Sequence, residues 1–517
     1  MLLIHPPVAK PCEPPAGIAR LAGALQSRHI LCRLLDANLE GMLWLLGEAP
    51  AAADTWTRRA AKNVGRNLAA LRDSRTFLSP DRYDRAVREV NRLLAASCGD
   101  SGIVPGLADY QDRSLSPIRS ADLLRAADRH RENPFFPYFS RRLEEVLADP
   151  AAAHAGVVGI SLNYLSQALC TFALVGFLRE RFPRLRIVLG GGLITSWLRR
   201  PGWRNPFAGL VDDLVAGPGE LPLMEICGSG AGAAVHALPD YGQLPLADYL
   251  APGLILPYSA AGGCYWNRCS FCPERAEGNG YLPVPTGRAL DEIGELVART
   301  GPVLLHLLDN AVSPALLTGL ADRPPGVHWY GFARFGRKLA DPGFCRALRQ
   351  SGCVMLKLGL ESGDQGVLNR LEKGIDLELA AQVLANLRQA GIGVYLYLLF
   401  GTPAETEPEA RKTLAFVKRN RDAIGFLNLA LFNMPVCGDE AGIHATEPFY
   451  EGDLSLYTGF RHPGGWDRKE VRRFLEREFK RDPAVAMILR RDPPFFTSNL
   501  APFFTDPAGC ASPWFLT

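Results

Sequence analysis

Ala261-Gly-Gly-Cys-Tyr-Trp-Asn-Arg-Cys-Ser-Phe-Cys-Pro273 sets three cysteines, Cys264, Cys269 and Cys272, five and three positions apart in a glycine-rich turn. The turn follows directly on an apolar run that reads as a strand. A usual protein-bound iron–sulfur cluster is closed by four cysteines, so a tight trio can hold a four-iron cluster and leave one iron open to a small molecule. Zinc is the alternative metal, but a structural zinc site wants four ligands and no fourth Cys or His lies within a few residues of the three.

Downstream of the loop, helix and strand patterns alternate. Helices are predicted over 288–299, 342–351, 377–390 and 407–420, and strands over 303–308, 329–333, 354–360, 394–400 and 424–432. This succession predicts a partial β/α barrel, whose active site would gather at the carboxyl ends of the strands. Polar residues stand at those ends: Asp309 and Asn310, Arg334, Glu361 and Ser362, and the turn from Gly401 to Thr406. A polar residue there can equally start the next helix, as Ser313 and Thr406 are placed to do.

Upstream, a strand over 2–5, a proline-rich loop, a helix over 17–28 and a strand ending at Asp36 form a βαβ unit. The alternation resumes with a strand at 156–161 and the stretches 186–192 and 213–220, after a long stretch, about 55–149, that reads as helical. The fold class is therefore α/β: an N-terminal doubly wound parallel sheet followed by a partial barrel, with ligands expected outside the carboxyl ends of the strands. Asp36, Ser161, Gly190, Gly191, Gly192, Gly217, Gly219 and Glu220 occupy those ends, mostly small residues that let backbone approach a bulky ligand. Sharp turns of any α/β sheet would use the same glycines. The expected domains are 1–240 with a helical insertion at about 46–150, a barrel at 241–440, and an extension at 441–517 without an assignable motif, whose aromatics are Phe449, Tyr450, Trp466, Phe495 and Phe496.

With 517 residues, 47% hydrophobic and 21% charged, the composition is that of a globular protein, and a formal charge of +3 over this length gives no basis for a nucleic-acid partner. Twelve cysteines are too sparse for a disulfide scaffold, and the opening residues lack the pattern of a signal peptide, so a reducing cytoplasmic setting is expected. Residues 155–178 carry no charge for long enough to span a bilayer, yet Asn163, Tyr164, Ser166 and Gln167 interrupt them, which favours a buried strand and helix over a membrane span.

The cysteine spacing, with the aromatic Phe271 before the last cysteine, resembles the cluster loop of the radical S-adenosylmethionine (SAM) enzymes; it departs from the family's usual form by one extra residue in the first gap. The resemblance implies a [4Fe-4S] cluster on Cys264, Cys269 and Cys272 and a SAM site built from Phe271, Asp309, Asn310, Arg334, Glu361, Ser362, Tyr397 (beside Tyr395), Gly401 and Pro403. The usual Gly-Gly-Glu wording is absent at Asp309-Asn310. Residues 1–45 and 155–226, in the order Pro-Pro, Leu-Leu-Asp, Val-Gly-Ile-Ser, Leu-Gly-Gly-Gly and Gly-Pro-Gly-Glu, look like the cobalamin-binding domain that precedes the barrel in a large class of these proteins. That likeness implies cobalamin at the strand-end residues named above. The loop Asp-x-His-x-x-Gly, which supplies a cobalt ligand in many cobalamin proteins, is lacking: Asn38 stands where Asp36-Ala-Asn-Leu-Glu-Gly would need histidine. The activity implied is reductive cleavage of SAM to a 5′-deoxyadenosyl radical and cobalamin-dependent methylation of an unactivated carbon. The substrate would be a small molecule or peptide, and the electron donor a protein such as flavodoxin or ferredoxin. The alternatives are radical oxidation, cyclisation or rearrangement without methyl transfer, and a non-catalytic Fe-S or zinc-binding protein.

Overall fold

Strand β1 (Leu2–His5) is four apolar or half-apolar residues buried along its whole length, and it lies inside a five-stranded parallel sheet, second from one edge. Its partners are β2 (Arg33–Asp36) on one side and β3 (Val157–Ser161) on the other, with β4 (Arg186–Gly190) and a short β5 (Asp213–Leu214) beyond. The order 2-1-3-4-5 reverses direction between β1 and β3, the switch point where doubly wound sheets open a ligand crevice at the strands' carboxyl ends. The computed structural model describes residues 1–48, 54–148, 156–228, 236–448, 450–493 and 500–505. Their packing forms two units, Met1–Leu254 with Glu451–Leu456, and Ile255–Tyr450 with Tyr457–Pro493 and residues 500–505.

The uncharged stretch near residue 170 has a packing explanation. Helix Leu165–Arg181 is buried continuously from Gln167 to Leu178, so its sequence is apolar all round. Gln167 is tolerated in this buried stretch because its amide donates to Pro6 O at 2.7 Å and accepts from Asn163 N and Tyr164 N. Among the described residues no helix is long and apolar enough to cross a membrane.

The insertion is not wholly helical. Helices Thr55–Leu71, Pro80–Ser97, Ser120–Asp128 and Phe136–Ala148 are interrupted by an antiparallel pair, Ile103–Pro105 with Tyr110–Asp112. Three-residue strands carry too little period to register in the sequence.

The second unit is the α/β array that the periodicity predicts. Strands β6 (Ile255–Tyr258), β7 (Leu304–Leu307), β8 (His328–Ala333), β9 (Cys353–Glu361), β10 (Gly393–Phe400) and β11 (Phe426–Leu431) lie side by side in chain order, all parallel, with β6 and β11 at the edges. Helices connect them, with Ser313, Asp341 and Asp376 each accepting a backbone N–H at a helix start and Gly301 and Gly391 ending helices in left-handed geometry. Alternate residues of β7 to β10 stack on one another: His306 lies 4.3 Å from Tyr330, Lys357 Nζ lies 5.1 Å from Tyr330 and 5.0 Å from Phe332, and Tyr397 packs on Phe332 and Tyr395. The described end of the chain closes this unit, with Phe504 against Phe426 at 5.3 Å. Trp466 is buried and Tyr450 exposed, while Phe449, Phe495 and Phe496 lie outside the described residues.

Candidate functional site

The cysteine loop is pinned at its base. Ala261–Gly262 pairs antiparallel with Leu282–Pro283, so everything between is a closed excursion from the end of β6. Gly263 allows it: its φ is 67°, and a Cβ there would sit 2.3 Å from Gly280 O. The extra residue of the first gap is absorbed by Asn267, which takes left-handed backbone at φ 42° and is among the residue types that tolerate it. Cys272 then caps the single helical turn Pro273–Ala276, and proline at the first helical position suits that start.

The thiols are free, Cys269 buried and the other two half-buried. Burial pushes Cys269 up, opposed chiefly by the charges of Lys373 and Arg334. Burial pushes Cys272 up as well, opposed by the backbone N–H groups of Arg275 and Glu274. Cations and N–H donors aimed at sulfur are what thiolate ligands to a metal cluster need. Among the described residues no group of three or more His, Cys, Asp or Glu is placed to hold a single metal ion. A donor set of three thiols and no imidazole suits an iron–sulfur cluster, whose size spreads its ligands apart.

Around the loop the predicted residues separate into those brought together and those that are not. Arg334, past the end of β8, stacks on Trp266 at 4.3 Å and reaches Cys269 Sγ at 3.9 Å. Glu361 ends β9 beside a register shift, in left-handed backbone at φ 70°, and pairs with Lys373 at 2.7 Å. Both side chains of that pair are about nine-tenths buried, at 12% and 9% exposure, and removing one partner of such a pair costs on the order of 3–5 kcal/mol. Lys373 Nζ also lies 5.4 Å from the Phe271 ring. Tyr397 is half-buried and packs on Tyr395 at 4.7 Å; burial raises its phenol well above the ordinary value, with Tyr395 and the Glu361 charge adding to the shift.

Asp309 lies just past the end of β7, beside the start of the cysteine loop. Its carboxylate accepts the Ala260 N–H at 3.0 Å, so it fastens the chain leaving β6 just before the cysteines. Burial raises its pKa to about 6 against the pull of those backbone donors. Asn310 is exposed, and Ser362 is wholly buried, hydrogen-bonded to Thr413 at 3.3 Å and accepting from Asp364 N. Ser362 thus belongs to the packing of the helix behind β9. Gly401, at φ 78°, donates to Glu405 Oε2 at 2.6 Å, with half-buried Pro403 in the same turn. Gly401 borders a cleft with about 790 Å³ of open space, also lined by Phe432, His462, Trp466 and Arg468.

Sequence reasoning missed Lys373 and Trp266, and took Glu405 only as part of the Gly401–Thr406 turn. Lys373 and Glu405 sit in turns, and neither shows a partner until β9 and β10 are folded. Trp266 lies within the longer first gap.

The first unit has its own cleft, at the β1/β3 switch point. About 790 Å³ of open space runs from Leu3, Gly159 and Val188 to a rim of Ser161, Gly190, Gly191, Gly217, Gly219 and Glu220. A Cβ on Gly190 would find only Val215 atoms, at 3.7 Å or more, and one on Gly217 nothing within 4 Å, so these two would project into open space. The cradle therefore fits a large ligand pressed close to backbone. Hydrogen bonds hold its turns: Gly217 N donates to Thr195 Oγ1 at 2.9 Å and Gly192 N to Asn163 Oδ1 at 3.0 Å. Glu220 at the rim pairs with Arg20 at 2.5 Å. Asp36 and Gly192 do not line the cleft. Asp36 is a buried helix cap, accepting from Asn38 N, Leu39 N and Tyr249 Oη.

Residues 258–417 match the Radical SAM superfamily. Among curated proteins the chain is 25% identical over 195 residues to an uncharacterized methyltransferase of Pyrococcus horikoshii, covering 35% of this chain and 41% of that protein. It is 27% identical over 177 residues to bacteriochlorophyllide d C-12(1)-methyltransferase of Chlorobaculum tepidum, covering 32% and 38%. The chain thus spans about two-fifths of the length of the curated relatives it matches. Among solved structures it resembles the radical S-adenosylmethionine methyltransferase TsrM of Kitasatospora setae with cobalamin and a [4Fe-4S] cluster bound, at TM-score 0.49 and 16% identity over 90% of this chain and 84% of that one. It also resembles the cobalamin-dependent S-adenosylmethionine radical enzyme OxsB, at TM-score 0.46 and 12% identity over 82% and 52%.

Proposed function

We propose that the radical SAM domain carried by residues 258–417 holds a [4Fe-4S] cluster on Cys264, Cys269 and Cys272, binds S-adenosylmethionine at its open iron, and serves cobalamin-dependent methylation of an unactivated carbon. The observation that carries this reading is the trio of free thiols at the carboxyl end of β6, faced by Arg334 and Lys373, with Glu361 at the end of β9 paired to that same lysine. The curated relatives that match are both named methyltransferases, which supports the methylation outcome. With cluster, SAM and methylcobalamin bound, the chemistry supplied is one-electron cleavage of the sulfonium and delivery of a methyl group to a substrate radical.

The chain's own residues would position these partners. Glu361 is an acceptor suited to the amino group or ribose hydroxyls of SAM. Arg334 is a planar donor beside Cys269, suited to a carboxylate. Tyr397 and the Gly401–Pro403 turn border the space next to Glu361's strand. Asp309 keeps the cysteine loop in register through Ala260. In the first unit, the glycine rim would receive the corrinoid without a histidine beneath it, since the residues lining the cleft include no imidazole. The substrate is a small molecule or peptide, electrons come from a flavodoxin- or ferredoxin-like donor, and the setting is the cytoplasm.

The test is anaerobic reconstitution of the full chain with iron and sulfide, titration with hydroxocobalamin followed by its visible spectrum, and assay for 5′-deoxyadenosine. Cluster absorption, a corrinoid spectral shift and 5′-deoxyadenosine formation support the reading. SAM cleavage with no corrinoid shift would move the function to non-methylating radical chemistry, and no SAM cleavage at all would leave a metal-binding protein.

A further inference from the structure

The turn that follows helix Gln365–Arg370 takes left-handed backbone twice, at Glu372 (φ 51°) and Gly374 (φ 64°), and lies against the cysteine loop along its length. Ser270 N donates to Leu371 O at 3.1 Å, and Trp266 Nε1 donates to Glu372 O at 3.0 Å. Arg275 reaches the Glu372 carboxylate at 3.3 Å, and Arg334 donates to Lys373 O while its other nitrogen faces Cys269 Sγ. Trp266 presses so near Gly374 that a Cβ there would lie 2.2 Å from its ring. Lys373 lies between these held ends of the turn. Its ammonium meets the Glu361 carboxylate at 2.7 Å and the ring of Phe271, between Cys269 and Cys272, at 5.4 Å.

We propose that Lys373 is a positioning residue of this site, which holds Glu361 in place for S-adenosylmethionine and, as a fixed positive charge beside the cysteine loop, favours the reduced state of the cluster. The inference rests on the cluster and SAM reading above. Reduction adds one negative charge to a cluster, and charge and solvent exposure set its potential. A buried cation nearby therefore raises that potential and a buried carboxylate lowers it, each more strongly than in water. Lys373 and Glu361 oppose one another as a nearly neutral pair, and removing either one alone unbalances the field.

The experiment is an anaerobic redox titration of the reconstituted full-length chain, followed by electron paramagnetic resonance, together with SAM binding, in wild type, Lys373→Met, Lys373→Arg, Glu361→Gln and the double variant Lys373→Met/Glu361→Gln. The expected ladder has Lys373→Met at the lowest midpoint potential and Glu361→Gln at the highest. Lys373→Arg lies near wild type, and the double variant returns toward it. SAM affinity falls about tenfold in Lys373→Met, and the same lysine change made in the Glu361→Gln background produces no further loss. Iron-loaded Lys373→Met with wild-type potential, or with a shift in the same direction as Glu361→Gln, overturns the inference. Should Lys373→Met fail to take up iron, Glu361→Gln decides: a raised potential supports the inference and an unchanged one overturns it. A wild-type chain that takes up neither iron nor SAM overturns the functional reading and this inference with it.

Discussion

The cleft of the first unit and the cysteine loop of the second solve opposite problems. The cleft is made of what is missing: glycines whose side chains would fill it, at turns fixed by neutral hydrogen bonds such as Gly217 N to Thr195 Oγ1. The loop is made of charged and ionisable side chains pressed together, Cys269 against Arg334 and Glu361 against Lys373. A surface of the first kind accepts a ligand by shape, and its polar groups are already satisfied by each other. One of the second kind carries unequal charge and acts on whatever binds there. Substitutions should therefore fail in different ways, by exclusion at the cleft and by altered chemistry at the loop.

The largest contrast is expected from Cys269→Ala. Iron in the reconstituted protein, measured by colorimetric assay, should fall from about four per chain to background, and 5′-deoxyadenosine formation with it, while corrinoid binding stays at the wild-type level. Gly190→Leu should do the reverse. The Cβ of the new side chain finds only Val215 atoms within 4 Å, the nearest at 3.7 Å, and the variant is expected to fold. Corrinoid affinity, read from spectral titration, should weaken on the order of a hundredfold, with SAM cleavage retained. Retained corrinoid binding in this variant would remove the cleft from the account.

The most gradual effect sharpens the electrostatic side of the comparison. Burial raises Glu405 to about 8, against the pull of Gly401 N and Trp466 Nε1. A carboxyl whose folded pKa lies above its unfolded value is favoured while protonated. Its contribution is whole below about pH 4.5 and is lost as pH rises through about 8. Chemical denaturation across that window should show wild type losing stability relative to Glu405→Gln, with a slope of at most about 1.4 kcal/mol per pH unit. Parallel curves for the two proteins would contradict the burial assigned to Glu405.

What the sequence revealed follows from how each feature is encoded. The cysteine trio was legible because its three thiols lie within nine residues of one loop. The β6–β11 array was legible because each strand is a short apolar run between periodic helices; the observed helices Leu377–Ala390 and Glu407–Asn420 have the bounds that the periodicity predicts. Strand-end polar residues were ambiguous for a physical reason: the same position serves a ligand or caps the next helix. Asp36 caps, Ser362 packs, and Glu361 turns inward because a register shift and left-handed backbone redirect it. The partner of Glu361 was hidden because Lys373 lies twelve residues away in a turn whose backbone geometry no periodicity records.

The central claim is that three cysteines leave one iron of a cluster open to S-adenosylmethionine. The most direct test is the electron paramagnetic resonance spectrum of the reduced, reconstituted chain before and after SAM is added, with Cys264→Ala, Cys269→Ala and Cys272→Ala beside it. The account predicts a [4Fe-4S]⁺ signal that shifts when SAM binds and is absent from each variant. A wild-type signal indifferent to SAM, or one that survives loss of any of the three thiols, would contradict it.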